Sequence, residues 1–174
     1  MELTTIEFGP EYQELVAEFE CGADPWAHEQ TEWIRNAPPF HGALWAMQTY
    51  KTTVWLHLVS VPPQAQPFVF GYSSLGYTNM QDPYPDGERC RIQYIPGLAL
   101  AEQFHGQRVS QDGKKYSHVI MEHVLSVAAG RKPDLIGLHV YPGNTKAIRL
   151  YQRFGFEVIG GPDKHNLLGM WRRP

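Results

Sequence analysis

The stretch GNTKAIRLYQRFGFE, residues 143–157, reads as a short helix running into a strand. Asn144 stands where an N-cap belongs, because its side-chain oxygen can accept from a first-turn N–H that has no partner within the helix. Tyr151 follows seven residues later. At about 3.6 residues per turn this is two turns, so the two side chains share one face and can line a single extended ligand. Taken alone, a tyrosine near the end of an amphipathic helix is a packing residue and an asparagine at its start is a cap. The residues around them decide whether they do more.

Working outward, DLIGLHVY (134–141) is a nearly continuous apolar run of strand length, as in a strand covered on both faces, while GFEVIG (155–160) and HNLLGMWRR (165–173) read as the last two strands. GKKYSHVIMEHVLSVAAG (113–130) carries an apolar stripe at Tyr116, Val119, Ile120, Val124, Leu125 and Ala128, with Gly130 placed as the stop. CRIQYIPGLAL (90–100) is a strand interrupted by Pro96 and Gly97, and MQDPYPDGER (80–89) is turn chemistry. ALWAMQTY (43–50), TTVWLHLV (52–59) and PFVFGYSSLGY (67–77) read as an antiparallel meander. Ahead of them, PEYQELVAEF (10–19) has Pro10 at a first helical position, and DPWAHEQTEWIRNA (24–37) has Asp24 as N-cap with Pro25 behind it, so two helices are expected before the strands. The expectation is one α+β domain over residues 1–174, a mixed sheet with helices on both faces.

The 174 residues carry 19% charged side chains and a formal net charge of -3, which excludes the strong basic field that draws proteins onto nucleic acid. Cys21 and Cys90 are the two cysteines, in no metal-ligand spacing, so neither a disulfide framework nor a metal site is expected. The first residues are acidic where a secretory signal is basic, and no run approaches the roughly 18 apolar residues of a membrane span, so a soluble cytoplasmic protein is expected.

Asn144, Ala147, Leu150, Tyr151, Gly155 and Phe156, with the order of elements from about Phe68 onward, resemble the GCN5-related N-acetyltransferases, which transfer an acetyl group from acetyl-CoA to an amine. The resemblance implies a centrally splayed sheet in which Leu98, Ala99 and Leu100, after the Pro-Gly interruption, pair with the pantetheine arm as with a strand. It implies that Asn144 and Ala147 hold that arm and that Tyr151 is a general acid for the departing thiolate. A tyrosine of pKa about 10 can do this against a thiol of about 8.5 without being ionised at neutral pH.

The family's phosphate loop, Gln/Arg-x-x-Gly-x-Gly/Ala, has no clean copy. HGQRVS (105–110) and DGKKYS (112–117) are the two alignments, with His105, Gly106, Arg108, Gly113, Lys114, Lys115 and Ser117 as the residues carried over for the phosphates. The loop is about seven residues longer than usual. It lacks the glycines of tight pyrophosphate binding yet concentrates Arg108, Lys114, Lys115 and His118 beside a helix start.

For the acceptor the resemblance points to residues 24–40 and GGPDKHNL (160–167), with Trp26, Glu32, Trp33, Tyr94 and His165 as lining residues; Glu102 and Tyr94 are offered as the general base. The acceptor class is a small-molecule or peptide amine. Two alternatives stand beside it. A toxin-type acetyltransferase acting on aminoacyl-tRNA is suggested by FECG (19–22), and a non-catalytic coenzyme A-binding module by the altered loop. A homodimer is left open.

Overall fold

The computed structural model describes residues 1–36, 42–61, 66–78, 90–109 and 113–174. The chain divides into two units, Met1–Ser74 with Gly97–Val124, and Leu75–Pro96 with Leu125–Pro174. The expected turn at 80–89 and the end of the 24–40 acceptor segment lie outside the described residues.

The first unit opens with strand β1 (Glu2–Glu7), antiparallel to β2 (Thr53–Ser60) from Glu2↔Ser60 to Glu7↔Trp55. This strand was not anticipated: ELTTIE is half-exposed along its length, so its β-branched Thr-Thr-Ile core has too little apolar alternation to announce it. PEYQELVAEF forms a 3-10 helix over Pro10–Val16, not an α-helix through residue 19. Helix α1 (Pro25–Arg35) follows as read, although Asp24 makes no side-chain cap bond. ALWAMQTY is helix α2 (Ala43–Tyr50) and not a strand. Apart from Thr49 it lacks β-branched residues, and its Ala, Leu, Met and Gln are helix formers, so its aromatics misled the reading.

Strand β3 (Phe68–Thr78) neighbours β2 and in this unit pairs with β5 (Leu98–Leu100), from Gly71↔Leu100 to Ser73↔Leu98. Alternation along β2 separates two apolar layers. Val54, Leu56 and Leu58 meet Ile34 of α1 and Ala43 of α2, while Val59 belongs with Tyr116 and Ile120 of helix α3 (Tyr116–Gly130). Helices therefore cover both faces. Gly130 is the last residue of α3, and the left-handed position comes two residues later, at Lys132.

In the second unit the end of β3 pairs with β4 (Ile92–Ile95) at Gly76↔Tyr94. β4 runs parallel to β6 (Leu135–Val140), which pairs antiparallel with β8 (Leu168–Arg172), which in turn pairs with β7 (Glu157–Val158). Helix α4 (Thr145–Arg153) connects β6 to β7. Gly137 has to be glycine here, because a Cβ would enter the ring of Trp171 opposite it.

The sheet is splayed where sequence placed the break. Pairing of β4 with β6 ends at Ile95↔Leu138, and after Pro96 and Gly97 β5 pairs with β3 instead. Pro96 has no N–H to donate, and the Gly97 carbonyl accepts from Ser74 N at 2.8 Å and Ser74 Oγ at 3.1 Å. The fold is thus the expected mixed α+β architecture with a splayed sheet. No helix among the described residues is long and apolar enough to cross a membrane.

Candidate functional site

In the second unit, Asn144 is the N-cap of α4: its Oδ1 accepts from Ala147 N at 3.2 Å. Tyr151 lies on the inner side of the helix, 7% exposed, its ring edge-on to Phe156 at 6.1 Å. Burial pushes its hydroxyl up to about 12, so the phenol is protonated at any physiological pH.

Tyr94 of β4 lies in the same unit. Burial, with the Asp163 carboxylate adding to it, pushes its hydroxyl up to about 12. Its oxygen lies 2.8 Å from Nδ1 of His139 on β6. The contact follows from register: Tyr94 pairs with Gly137, and His139, two residues on, presents its side chain to the same face. His139 is half-buried, and burial lowers its pKa against the opposing pull of Asp163. Its Nε2 lies over Gly169, its cross-strand partner, where a Cβ would stand 3.7 Å away. Sequence reasoning missed His139; the signal was a lone imidazole in the otherwise apolar run LIGLHVY.

His165, offered for the acceptor, is exposed in the loop between β7 and β8, where its backbone N–H donates to Asp163 Oδ1 at 2.8 Å.

The remaining residues lie in the first unit. Leu98 and Leu100 of β5 are half-buried and Ala99 is buried. The Leu100 carbonyl accepts from Nε2 of His105 at 3.0 Å. Gly106 and Gly113 take φ of +74° and +69°, left-handed values that glycine adopts at no steric penalty. Arg108 turns back to give Nη1 to the Gly113 carbonyl at 2.6 Å, and Arg108 and Lys115 form an isolated antiparallel bridge. The Lys115 carbonyl accepts from His118 N and Val119 N, beginning α3, and Ser117 stands in its first turn. The Lys114 ammonium is committed to Glu122 at 2.8 Å. Residues 110–112 of this loop lie outside the described ones.

Glu102 is exposed on a 3-10 turn, Glu102–Phe104, its N–H donating to the Glu20 carbonyl at 2.8 Å; its carboxylate faces Gly22. Trp33 stacks on Tyr72 at 5.5 Å, and Trp26 packs on the same core, while Glu32 is half-buried. The two tryptophans serve packing in the first unit. Of the residues named from sequence, Tyr94 and Tyr151 lie in the second unit, and His139 contacts Tyr94 there.

The model of the Acetyltransferase (GNAT) family matches residues 12–156. Among solved structures, AtaT complexed with acetyl-methionyl-tRNAfMet has a TM-score of 0.68 at 14% identity, covering 99% of this chain and 95% of that one. NAA60 of Arabidopsis thaliana in complex with acetyl-CoA has a TM-score of 0.62 at 14% identity, covering 99% and 98%. A GNAT-family acetyltransferase of Staphylococcus aureus Mu50 has a TM-score of 0.60 at 14% identity, covering 99% of each chain. No curated protein matches the chain in sequence.

Proposed function

Because this chain belongs to the GNAT family of acetyltransferases, whose acyl donor is acetyl-CoA, we propose that it acetylates a primary amine by direct attack, with His139 accepting the amine's proton and Tyr151 assisting departure of the thiolate. The observation that carries this reading is the contact of Tyr94 with His139 at 2.8 Å, in the unit that also holds Tyr151. The residues present suit the cofactor. Asn144 and Ala147 begin a helix that ends in a buried tyrosine, and β5 offers a short strand beside a Pro-Gly break. Bound acetyl-CoA supplies the activated thioester.

His139 is neutral at pH 7, since its pKa is lowered from 6.5, and can therefore take a proton. In the tautomer that donates Nδ1–H to the Tyr94 oxygen, Nε2 is the acceptor. Tyr151 acts chiefly through the hydrogen bond it donates. Full proton transfer from a phenol at about 12 to a thiolate of about 8.5 runs uphill by about 5 kcal/mol, whereas a donor aimed at the sulfur stabilises charge as it develops. Glu102 has no part in this scheme. His105, Gly106, Arg108, Gly113, Lys114, Lys115 and Ser117 are proposed for the phosphates on the resemblance alone, with Lys114 released from Glu122 to serve.

The test is thiol release from acetyl-CoA against polyamines, aminoglycosides, amino acids, peptide N-termini and aminoacyl-tRNA. Release with at least one amine is expected; absence of both release and calorimetric acetyl-CoA binding refutes the reading. A second reading, acetylation of aminoacyl-tRNA, draws support from the fold shared with AtaT and from α4, which exposes Lys146, Arg149 and Arg153 with no carboxylate among its residues. Exclusive activity on the aminoacyl-tRNA arm selects it.

A further inference from the structure

Tyr72 of β3 is fully buried, its ring stacked on Trp33 at 5.5 Å and edge-on to Phe19 at 5.8 Å, so its hydroxyl is held in one place. There it faces two oxygens of Gln30 on α1, the main-chain carbonyl at 3.1 Å and Oε1 at 2.5 Å. The shorter distance belongs to an O–H···O bond and is too short for N–H···O, so the atom against the phenol is the amide oxygen. That orients the amide. Its oxygen is engaged by Tyr72, and Nε2, with no partner among the described residues, is left to donate. The same half-buried side chain reaches the strand break: its Oε1 stands 3.4 Å from where a Cβ of Gly97 would be, beside Ser74 Oγ at 3.1 Å from that point.

We infer that Gln30 is an acceptor-binding residue that donates from Nε2 to a carbonyl oxygen beside the reacting amine, so that the acceptors are α-amino carbonyl compounds and not polyamines. The inference rests on the reading of the chain as an amine acetyltransferase with the thioester arm along β5. Among the described strands β5 pairs with β3 alone, so its other edge is open to that arm, in the plane of the sheet. Helix α1 lies on the face instead, where Ile34 and Trp33 pack with Tyr72 and Ala99. A donor reaching down from α1 to Gly97 therefore meets what approaches the thioester from the face, which is the acceptor. An uncharged N–H donor is matched by a carbonyl oxygen and left unmatched by a chain whose polar atoms are all amines, protonated at neutral pH and donors themselves. Trp26 and Trp33, the aromatic residues of the same helix, are taken up by packing.

Gln30→Met removes the amide and keeps the length of the side chain, and the Tyr72 hydroxyl retains the main-chain carbonyl of residue 30 at 3.1 Å, so no buried donor is orphaned. The direct readout is the pair of side-chain NH₂ signals of Gln30 in a nitrogen–proton NMR spectrum, identified by their loss in Gln30→Met. Coenzyme A takes the place of acetyl-CoA, so that nothing turns over, and the probes are alanyl-alaninamide, alanine methyl ester and putrescine. The two alanine compounds should move these signals, the one that binds more tightly telling an amide source from an ester, and putrescine should not. With acetyl-CoA, Gln30→Met should raise KM for the alanine compounds by roughly 10-fold, the worth of one hydrogen bond to substrate, with kcat within a few-fold and putrescine unaffected. Signals that neither alanine compound moves, or that putrescine moves equally, overturn the inference whether or not acetyl transfer is found. Transfer confined to putrescine, or an unchanged KM for the alanine compounds in Gln30→Met, overturns it and leaves the acetyltransferase reading standing.

Discussion

Replacing Tyr151 by phenylalanine removes one oxygen from a ring that is 7% exposed and held edge-on to Phe156 at 6.1 Å. The ring and its packing remain, so the fold should persist. The stability change should stay within about 1 kcal/mol, or roughly 2–4 °C in melting temperature for a chain of this size. Catalysis should respond far more. The hydroxyl is a protonated donor at neutral pH, and loss of one donor aimed at developing charge costs on the order of 10²–10³ in turnover, about 3–4 kcal/mol. Because that bond strengthens as the sulfur becomes a thiolate, the loss should fall on kcat and leave KM for acetyl-CoA within a few-fold. Steady-state thiol release with an accepted amine reads both constants, and a thermal melt reads the fold. A kcat within threefold of the parent, with the melt unchanged, would refute the reasoning and leave Tyr151 as a packing residue.

Tyr94→Phe removes the partner of His139 Nδ1 and should lower kcat/KM by about 3–10-fold, the worth of one buried hydrogen bond; an unchanged kcat/KM counts against the pair. Gly97→Ala would put a Cβ 2.9 Å from the Tyr72 ring and 3.1 Å from Ser74 Oγ, and should cost about 1–3 kcal/mol in urea unfolding; a neutral result would mean that the break in the strand is pliable. His57 is fully buried between Thr5 Oγ1 at 3.0 Å and Ser73 Oγ at 2.9 Å, and burial, with His123 adding to it, lowers its pKa from 6.5 to about 3. The fold therefore favours the neutral ring. Its contribution is complete above pH 6.5 and is lost as pH falls from there towards 3, about 3 kcal/mol by pH 4.5. His57→Gln should remove that part of the acid sensitivity, and equal losses in both proteins between pH 7 and 4.5 would refute it.

What could be read from sequence was what local chemistry decides. Asn144 caps α4 because an amide oxygen reaches an N–H three residues on; Pro96 and Gly97 break a strand because one lacks a donor and the other a side chain; residues 134–141 form an inner strand because they are apolar without alternation. Each is settled within a few residues of itself. The helix over 43–50 was legible in its helix-forming Ala, Leu, Met and Gln but was masked by its aromatics, whereas Glu2–Glu7 is a strand because β2 supplies its hydrogen bonds. The polar group around His139 was furthest from view. Tyr94 and His139 are 45 residues apart, and only the parallel register of β4 with β6 places the hydroxyl against the imidazole. Gly169 joins them through the pairing of β6 with β8. Sequence determined which groups the chain carries and where the locally decided elements begin. The pairing of distant strands decided which of those groups meet, because a one-residue slip in a β-ladder turns every side chain to the other face.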